Sequence, residues 1–402
     1  MAHASSSVET VVGKKNANQL GRTLTHEHLS LNFATFYVQP PDHLKRFLDD
    51  KIELGNVGML KQYPYSNPYN LIYNDECTEE AILEDVRLYK EFGGGTIVEN
   101  SNYGLQRNIP FMRKVSQVTG INVIAGTDVM RGQLKLRNLR TRVEHRDSLK
   151  GSCDWILFER ISYSFYYNVE LVSYLILLKG YYVSATQTKE DLLKEDMYDV
   201  MLKEMTIGCE EYPDVKTGFI GEVGSTWPIT PFEKRAIQAT GEVQQQLKCP
   251  VSFHPGRNAA APSEIMRIYQ EAGGNAKKAI LSHLDRTILS PEDLLEFADD
   301  VKCYCQFDLF GCECSFYQLS PSVDMISDAQ RIDRVKYFRN DQKLDRVLLS
   351  HDIHTKHRLM KFGGHGFSHI LNNVVPRMTL KGFTSEEIDT LTIHNPRTWL
   401  TS

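Results

Sequence analysis

Eight short apolar runs constrain this chain more than any other feature. Each ends in a polar or glycine-containing turn and gives way to a longer helical pattern. The runs are GRTLTHEHL (21–29), GGTIVENS (94–101), INVIAGT (121–127), TGFIGEVG (217–224), CPVSFHPG (249–256), AILSHLD (279–285), CYCQFD (303–308) and RVLLSHD (346–352). Continuous apolar and β-branched runs of this length read as parallel strands covered on both faces. Between them, residues 79–92, 231–247 and 262–273 carry helical spacing, and Pro231 and Pro262 sit at or near helix starts, where a missing N–H costs nothing. Eight strands alternating with helices predict an α/β fold closed as a (β/α)8 TIM barrel. A doubly wound open sheet would want a glycine-rich phosphate loop after the first strand, and HEH (26–28) stands there instead. The long segment 35–78, with Pro40, Pro41, Pro64 and Pro68, is expected to serve the active-site side of the barrel.

The polar residues that end these runs carry the chemistry. His26 and His28 are two apart on the first strand, so their imidazoles share a face. Glu222, His254, His283 and Asp352 fall at the ends of the fourth, fifth, sixth and eighth strands. A barrel brings all these ends to one rim, the rim that bears the chemistry of barrel enzymes. One histidine at a strand end is ordinarily a hydrogen-bonded core residue. Six polar groups converging on one cavity are costly unless something satisfies them. Four imidazoles and two carboxylates suit divalent zinc or a similar ion, and six ligands exceed what one tetrahedral ion uses, so two metal ions are expected. His351 alternates to the opposite face from Asp352 and is expected to pack. His354 and Lys356, in the loop beyond, are candidate substrate contacts.

Composition excludes several alternatives. A net charge of -5 without a long basic run argues against a nucleic-acid partner. The apolar stretch 161–178 is interrupted by Asn168 and Glu170 and falls short of a span, so no membrane partner is expected. The N-terminus lacks a signal-peptide pattern, and eight scattered cysteines form no disulfide framework, which together favour the cytoplasm. Cys303/Cys305 and Cys312/Cys314 lack the Cys-x-x-Cys spacing of structural zinc sites.

With these residues in place, the sequence resembles the phosphotriesterase-related branch of the amidohydrolase superfamily. The matching motifs are GRTLTHEH (21–28), GEVGSTWP (221–228), HPGRN (254–258), SHLDRT (282–287) and SHDIHTKHRLMKFGGHGFSHI (350–370), with QLSP (318–321), NP (395–396) and the terminal TWL. The likeness runs from residue 9 to the end and implies one hydrolase barrel over 9–402. It implies that His26, His28, Glu222 and Asp352 hold one metal and Glu222, His254 and His283 a second. Glu222 would bridge them, where some relatives carry a carbamylated lysine. A hydroxide between the metals would be the nucleophile, and Asp352 would carry its proton to the leaving group. Zinc is the expected ion, although manganese and cobalt accept the same ligands. The branch is similar to enzymes that hydrolyse N-acetyltaurine and related short N-acyl amino compounds, which implies a small-molecule amide substrate. Lactonase or phosphotriesterase chemistry is the alternative. Arg257, Arg286 and Lys356 lie just past ligand-bearing strands and are candidates for holding an anionic tail.

One stretch departs from the family. IAGT (124–127) and GYYVSATQ (180–187) match the two sides of a segment that relatives run through directly, and 128–179 lies between them. Its first part is basic, with Arg131, Lys135, Arg137, Arg140, Arg142, Arg146 and Lys150, and its end is rich in Tyr, Ser, Phe and Leu. A lid or partner-binding insertion is one account. A retained intron translated in frame is the favoured one, and it raises a third reading in which the insertion has abolished catalysis. A second departure is Asn108 after Arg107, where relatives carry Arg-Asp, which puts a local ion pair in question.

Overall fold

The computed structural model describes residues 6–49, 51–127 and 192–401. The stretch 128–179 therefore lies outside the described residues, as does the apolar run 161–178.

All eight expected strands form, and they form in chain order. They are β1 (Arg22–Glu27), β2 (Gly94–Glu99), β3 (Asn122–Ala125), β4 (Ile220–Gly224), β5 (Val251–His254), β6 (Ala279–Leu281), β7 (Tyr304–Phe307) and β8 (Val347–Leu349). Strands β1 to β3 pair in parallel, as do β4 to β8. Two joints complete the ring. Between β3 and β4, Thr127 N donates to Phe219 O at 3.0 Å and Gly218 N to Ala125 O at 2.9 Å. Between β8 and β1, Asp352 N donates to His26 O at 3.1 Å and His26 N to Ser350 Oγ at 2.9 Å. Gly126 is required at the first joint, because a Cβ there would lie 2.0 Å from Gly221 O.

The strands stop earlier than the apolar runs do. The run 279–285 ends as strand at Leu281, and His283 turns the chain with φ 56 into a single helical turn at Leu284–Thr287. His283 and Asp352 thus lie past the ends of their strands, above the barrel, where side chains can converge.

Helices follow the strands: α1 (Glu76–Glu91), α2 (Ile109–Thr119), α3 (Lys194–Thr206), α4 (Pro231–Leu247), α5 (Ala261–Glu271), α6 (Pro291–Val301), α7 (Asp328–Asn340) and, after β8, α8 (Val375–Leu380). Their starts are set chemically. Thr230 and Glu233 form a reciprocal capping box around Pro231 at the head of α4, and Ser290 caps α6 ahead of Pro291. Asn108 Oδ1 accepts from Phe111 N at 3.1 Å and so caps α2. Arg107 forms a two-pronged ion pair with Glu204 of α3, at 2.8 and 2.9 Å. The asparagine thus keeps the cap, and the arginine finds its carboxylate on another helix. No helix among the described residues is long and apolar enough to cross a membrane.

Two large apolar layers pack the barrel, beside a small cluster of Leu44, Leu48 and Leu60. The larger lies between strands and helices. The smaller fills the barrel interior, where Val98, Ile124, Phe219, Ile280, Tyr304 and Leu348 meet Trp399 from the C-terminal segment. The buried Trp399 ring lies 5.7 Å from Phe219, and its Nε1 donates to Lys278 O at 3.1 Å. The end opposite the site is thereby plugged. Trp399→Ala leaves a large cavity and an unpaired carbonyl. It is expected to destabilise the protein by about 3–5 kcal/mol, read as a lower midpoint in urea unfolding.

Candidate metal centre

The six expected ligands meet at the carboxyl ends of the strands. His26 lies in β1, His28 just beyond it, Glu222 in β4, and His254 closes β5. His283 and Asp352 follow β6 and β8 in left-handed turns, with φ 56 and 54. Such backbone is unusual for these residue types and persists where the surroundings fix it. Here Asp308 accepts from His283 N at 3.0 Å, and His26 O accepts from Asp352 N. All six side chains are buried.

Glu222 occupies the middle. Its Oε2 is 3.1 Å from His254 Nδ1, 3.3 Å from His26 Nε2 and 3.8 Å from His283 Nε2. Asp352 Oδ1 is 3.2 Å from His28 Nε2 and 3.7 Å from His26 Nε2. Two donor groups result, His26/His28/Asp352 and His26/Glu222/His283, each with its donor atoms within 4.8 Å. His254 joins the second, its Nδ1 lying 2.8 Å from His283 Nε2.

A further set of residues orients the rings through their outer nitrogens. His28 Nδ1 meets Ser101 Oγ at 2.9 Å, His26 Nδ1 meets Ser282 Oγ at 3.1 Å, and His283 Nδ1 meets Asp308 Oδ1 at 2.8 Å. Gln306 Nε2 donates to Asp308 Oδ2 at 2.8 Å, fixing that carboxylate in turn. Below them, Glu27 ties down the β8 loop. Its Oε1 accepts from Ser350 Oγ, His351 N and His351 Nδ1 at 2.7–2.9 Å, and its Oε2 from Ile353 N at 3.0 Å. His351 is therefore a packing residue, as its alternation from Asp352 requires. Glu27 and Asp308 were not singled out from the sequence. The only signals were the middle residue of HEH and the aspartate that ends the seventh run.

Charge matches this arrangement. Burial opposes ionisation of Glu222, yet His26, His254 and His283 hold its carboxyl well below the usual range. Burial likewise opposes ionisation of Asp352, but His354 and His28 keep it low. Burial works against a charged His28, and Asp352 outweighs it, raising the imidazole to about 9. Burial, with His283 beside it, pushes His254 down to about 3, and burial pushes Asp308 up to about 6.

The donor set fits a pair of divalent ions. His26 Nε2 is buried, faces both carboxylates and has no hydrogen-bond partner. A buried nitrogen left so is costly, and a cation between the carboxylates removes the cost. Nitrogen and carboxylate donors are those that zinc and similar ions take.

Beside this centre opens a cavity of about 260 Å³. The segment 33–65 supplies Phe33, Lys61 and Tyr65 to its wall, which gives the long stretch after β1 its place. His354 also lines it, with Nδ1 3.2 Å from Asp352 Oδ1 and Nε2 3.1 Å from Tyr65 OH. Arg286 reaches the cavity, and its NH2 lies 3.2 Å from His254 Nε2. Arg257 stands behind the wall, its NH2 donating to Tyr317 OH at 2.9 Å. Both guanidiniums pack on the Tyr317 ring, 5.0 and 5.4 Å from its centre. Lys356 is a correction to the expectation. It is fully buried away from the cavity, over the Tyr69 ring and ion-paired with Asp75, because its side chain turns beneath the loop that its neighbours Thr355 and His357 present.

A model of the phosphotriesterase family matches residues 6–149 and 170–400. The chain belongs to the phosphotriesterase family. It is 46% identical over 389 residues to the phosphotriesterase-related protein of Aedes aegypti, covering 95% of this chain and 94% of that one. It is 44% identical over 396 residues to the Drosophila pseudoobscura pseudoobscura protein of the same description, covering 98% of each. Among solved structures it is similar to a resiniferatoxin-binding protein from Rhodobacter sphaeroides. The TM-score is 0.80 at 22% identity, covering 99% of this chain and 95% of that one. A phosphotriesterase homology protein from Escherichia coli gives 0.63 at 21%, covering 95% and 99%. The barrel is thus the family's fold, and the family is one of hydrolases with binuclear metal centres.

Asp308→Asn keeps the shape of the side chain but removes the charge behind His283. It is expected to weaken divalent-metal binding roughly 10- to 100-fold, measured by chelator competition on the folded variant.

Proposed function

We propose that this protein hydrolyses the amide bond of short N-acyl amino compounds of the N-acetyltaurine type, releasing a carboxylate and an amine. The observation that carries this reading is a cationic cavity wall facing a carboxylate-bearing metal centre. Arg286 is buried at the cavity, and among the described residues no carboxylate pairs with it. A buried guanidinium without a carboxylate is a ready partner for an anionic substrate tail.

His26, His28 and Asp352 would hold one divalent ion and His254 and His283 the other, with Glu222 between them; zinc is the proposed ion. When bound, the pair would supply Lewis acidity to the scissile carbonyl and acidify water toward neutrality. The chain's own residues do the rest. Asp352, held ionised between His28 and His354, takes the proton of the attacking water and delivers it to the leaving nitrogen. An amine leaves poorly without that proton, so Asp352 matters more here than for an acidic leaving group. Arg286 and the Tyr317 ring orient the tail, and the apolar side chains Phe33 and Leu309 leave room for a short acyl group. The proposed compartment is the cytoplasm, where cysteines stay as thiols.

A second reading is favoured by one kind of observation. Structural neighbours include mutants of a phosphotriesterase-like lactonase and of an organophosphorus hydrolase, both from Deinococcus radiodurans, with TM-scores of 0.64 and 0.65 at 19% identity. A panel of N-acetyltaurine, lactones and aryl phosphotriesters, run on metal-loaded full-length protein and on a 128–179 deletion, separates the readings. Acetate release from N-acetyltaurine that is lost with chelator and in Asp352→Asn, by about 100-fold or more, is the expected result. Turnover of lactones without acetate release would sink the amide reading. Activity in the deletion alone would assign inactivation to the inserted stretch.

Arg286→Leu tests the anion contact. Loss of a charge-assisted hydrogen bond is expected to raise KM for the sulfonate substrate roughly ten- to hundredfold, while an N-acyl amine with a neutral tail keeps its KM. Metal content is measured alongside, because Arg286 also touches His254.

A further inference from the structure

Two cysteine pairs share Cys-x-Cys spacing, and the fold treats them differently. Cys303 and Cys305 straddle the start of β7 and are buried in the core. Cys312 and Cys314 lie in the loop after β7 and line the cavity beside the metal centre. Neither serves the hydrolytic chemistry described above.

The loop's surroundings distinguish its two sulfurs. Cys312 O accepts from Arg331 NH2 at 3.0 Å, and Cys314 Sγ donates to Phe316 O at 3.2 Å. The contact with Cys314 lowers the Cys312 thiol against the effect of burial, and the Arg358 and Arg331 charges add to it. The same contact, with burial, raises the Cys314 thiol. A guanidinium beside Cys312 favours its thiolate, while the Cys314 proton is held on a carbonyl, so Cys312 is the thiolate of the pair and Cys314 the thiol. Thiolate character and access are what decide which cysteines an oxidant finds. Both face the cavity, and a molecule as small as a hydroperoxide can enter it.

We propose that Cys312 and Cys314 form an oxidisable dithiol in the cavity wall, converted by hydrogen peroxide to a disulfide that changes substrate access. The Cys312 thiolate attacks the terminal peroxide oxygen, the O–O bond breaks, and the departing hydroxide takes up the proton that Cys312 had released, leaving as water. Cys312 is then a sulfenic acid. The Cys314 sulfur attacks it, an S–S bond forms, the S–O bond breaks, and the second hydroxide leaves with the Cys314 proton as a second water. Two thiols lose two electrons, and one peroxide becomes two waters. The new bond draws residues 312 and 314 together in the loop that carries Tyr317, against which Arg257 and Arg286 pack. The dithiol chemistry stands apart from the amide reading. Only its effect on anionic substrates rests on that reading.

The test treats metal-loaded full-length protein with hydrogen peroxide, blocks free thiols after unfolding, and reads each cysteine by peptide mass spectrometry. The expected result is a 312–314 peptide short of two hydrogen atoms and resistant to alkylation until dithiothreitol is added, while Cys303 and Cys305 alkylate fully. Cys314→Ser should leave a sulfenic acid on Cys312 that dimedone traps, and Cys312→Ser should form neither product. KM for the sulfonate substrate should rise several-fold on oxidation and return with reductant. A 312–314 pair that stays reduced while the core pair oxidises overturns the proposal, whatever the enzyme hydrolyses. A disulfide that leaves KM unchanged overturns the effect on access. A disulfide in a protein that releases no acetate from N-acetyltaurine upholds the dithiol and removes the amide reading instead.

Discussion

One buried carboxylate organises the carboxyl end of this barrel. Glu222 has no solvent to share its charge with, and three imidazoles from β1, β5 and the turn after β6 face one of its oxygens. A lone ionised carboxylate at such depth costs several kcal/mol, so the group can be present only if cations or strong donors surround it. The imidazoles must therefore be aimed, and aiming them is the work of other strands. Ser101 after β2 holds His28, Ser282 after β6 holds His26, and Asp308 after β7 holds His283. Each of these three ligands is oriented from a different strand, so the site is assembled only when the ring of strands is complete. Fold and site are coupled through these cross-strand bonds.

The same coupling explains what the sequence made legible. Strand count and order were readable because a parallel barrel strand is covered on both faces, which leaves an uninterrupted apolar run. The ligands were readable because each breaks such a run with a residue that has no reason to be there unless it is paired. His254 after PVSF and Asp352 after VLLSH are of this kind. The supporting groups gave a weaker signal. Asp308 ends a strand in the same way, but a single aspartate at a strand end is also an ordinary cap or turn residue. Glu27 sits between two histidines, and only the closed barrel brings it under Ser350, His351 and Ile353, more than three hundred residues away in the chain. Lys356 shows the converse. Sequence placed it near the site correctly but could not say which way its side chain turns, and Asp75 and Tyr69, which hold it, come from the far side of the long segment after β1.

Substitutions relative to the family are absorbed in a similar way. Asn108 loses the charge of an aspartate but keeps the oxygen that a helix start uses, so α2 retains its cap. The ion pair that the change put in question is supplied by Glu204, buried on α3. Arg107 also donates to Gly126 O at 2.7 Å, next to the joint between β3 and β4. The charge therefore helps hold the barrel where the chain leaves β3.

That joint bears on the stretch from 128 to 179. The chain departs after Thr127 and is described again from Leu192, yet β3 and β4 meet through Thr127, Gly126, Gly218 and Phe219 on either side of the departure. The six ligands, and the side chains described above as orienting them, lie in the residues on either side of it. The stretch can act on activity through access to the cavity or through the stability of the β3–β4 joint. Those two routes differ physically. Blocked access lowers activity at unchanged metal affinity, whereas a loosened joint disturbs Glu222, the central carboxylate on β4, and weakens metal binding with it.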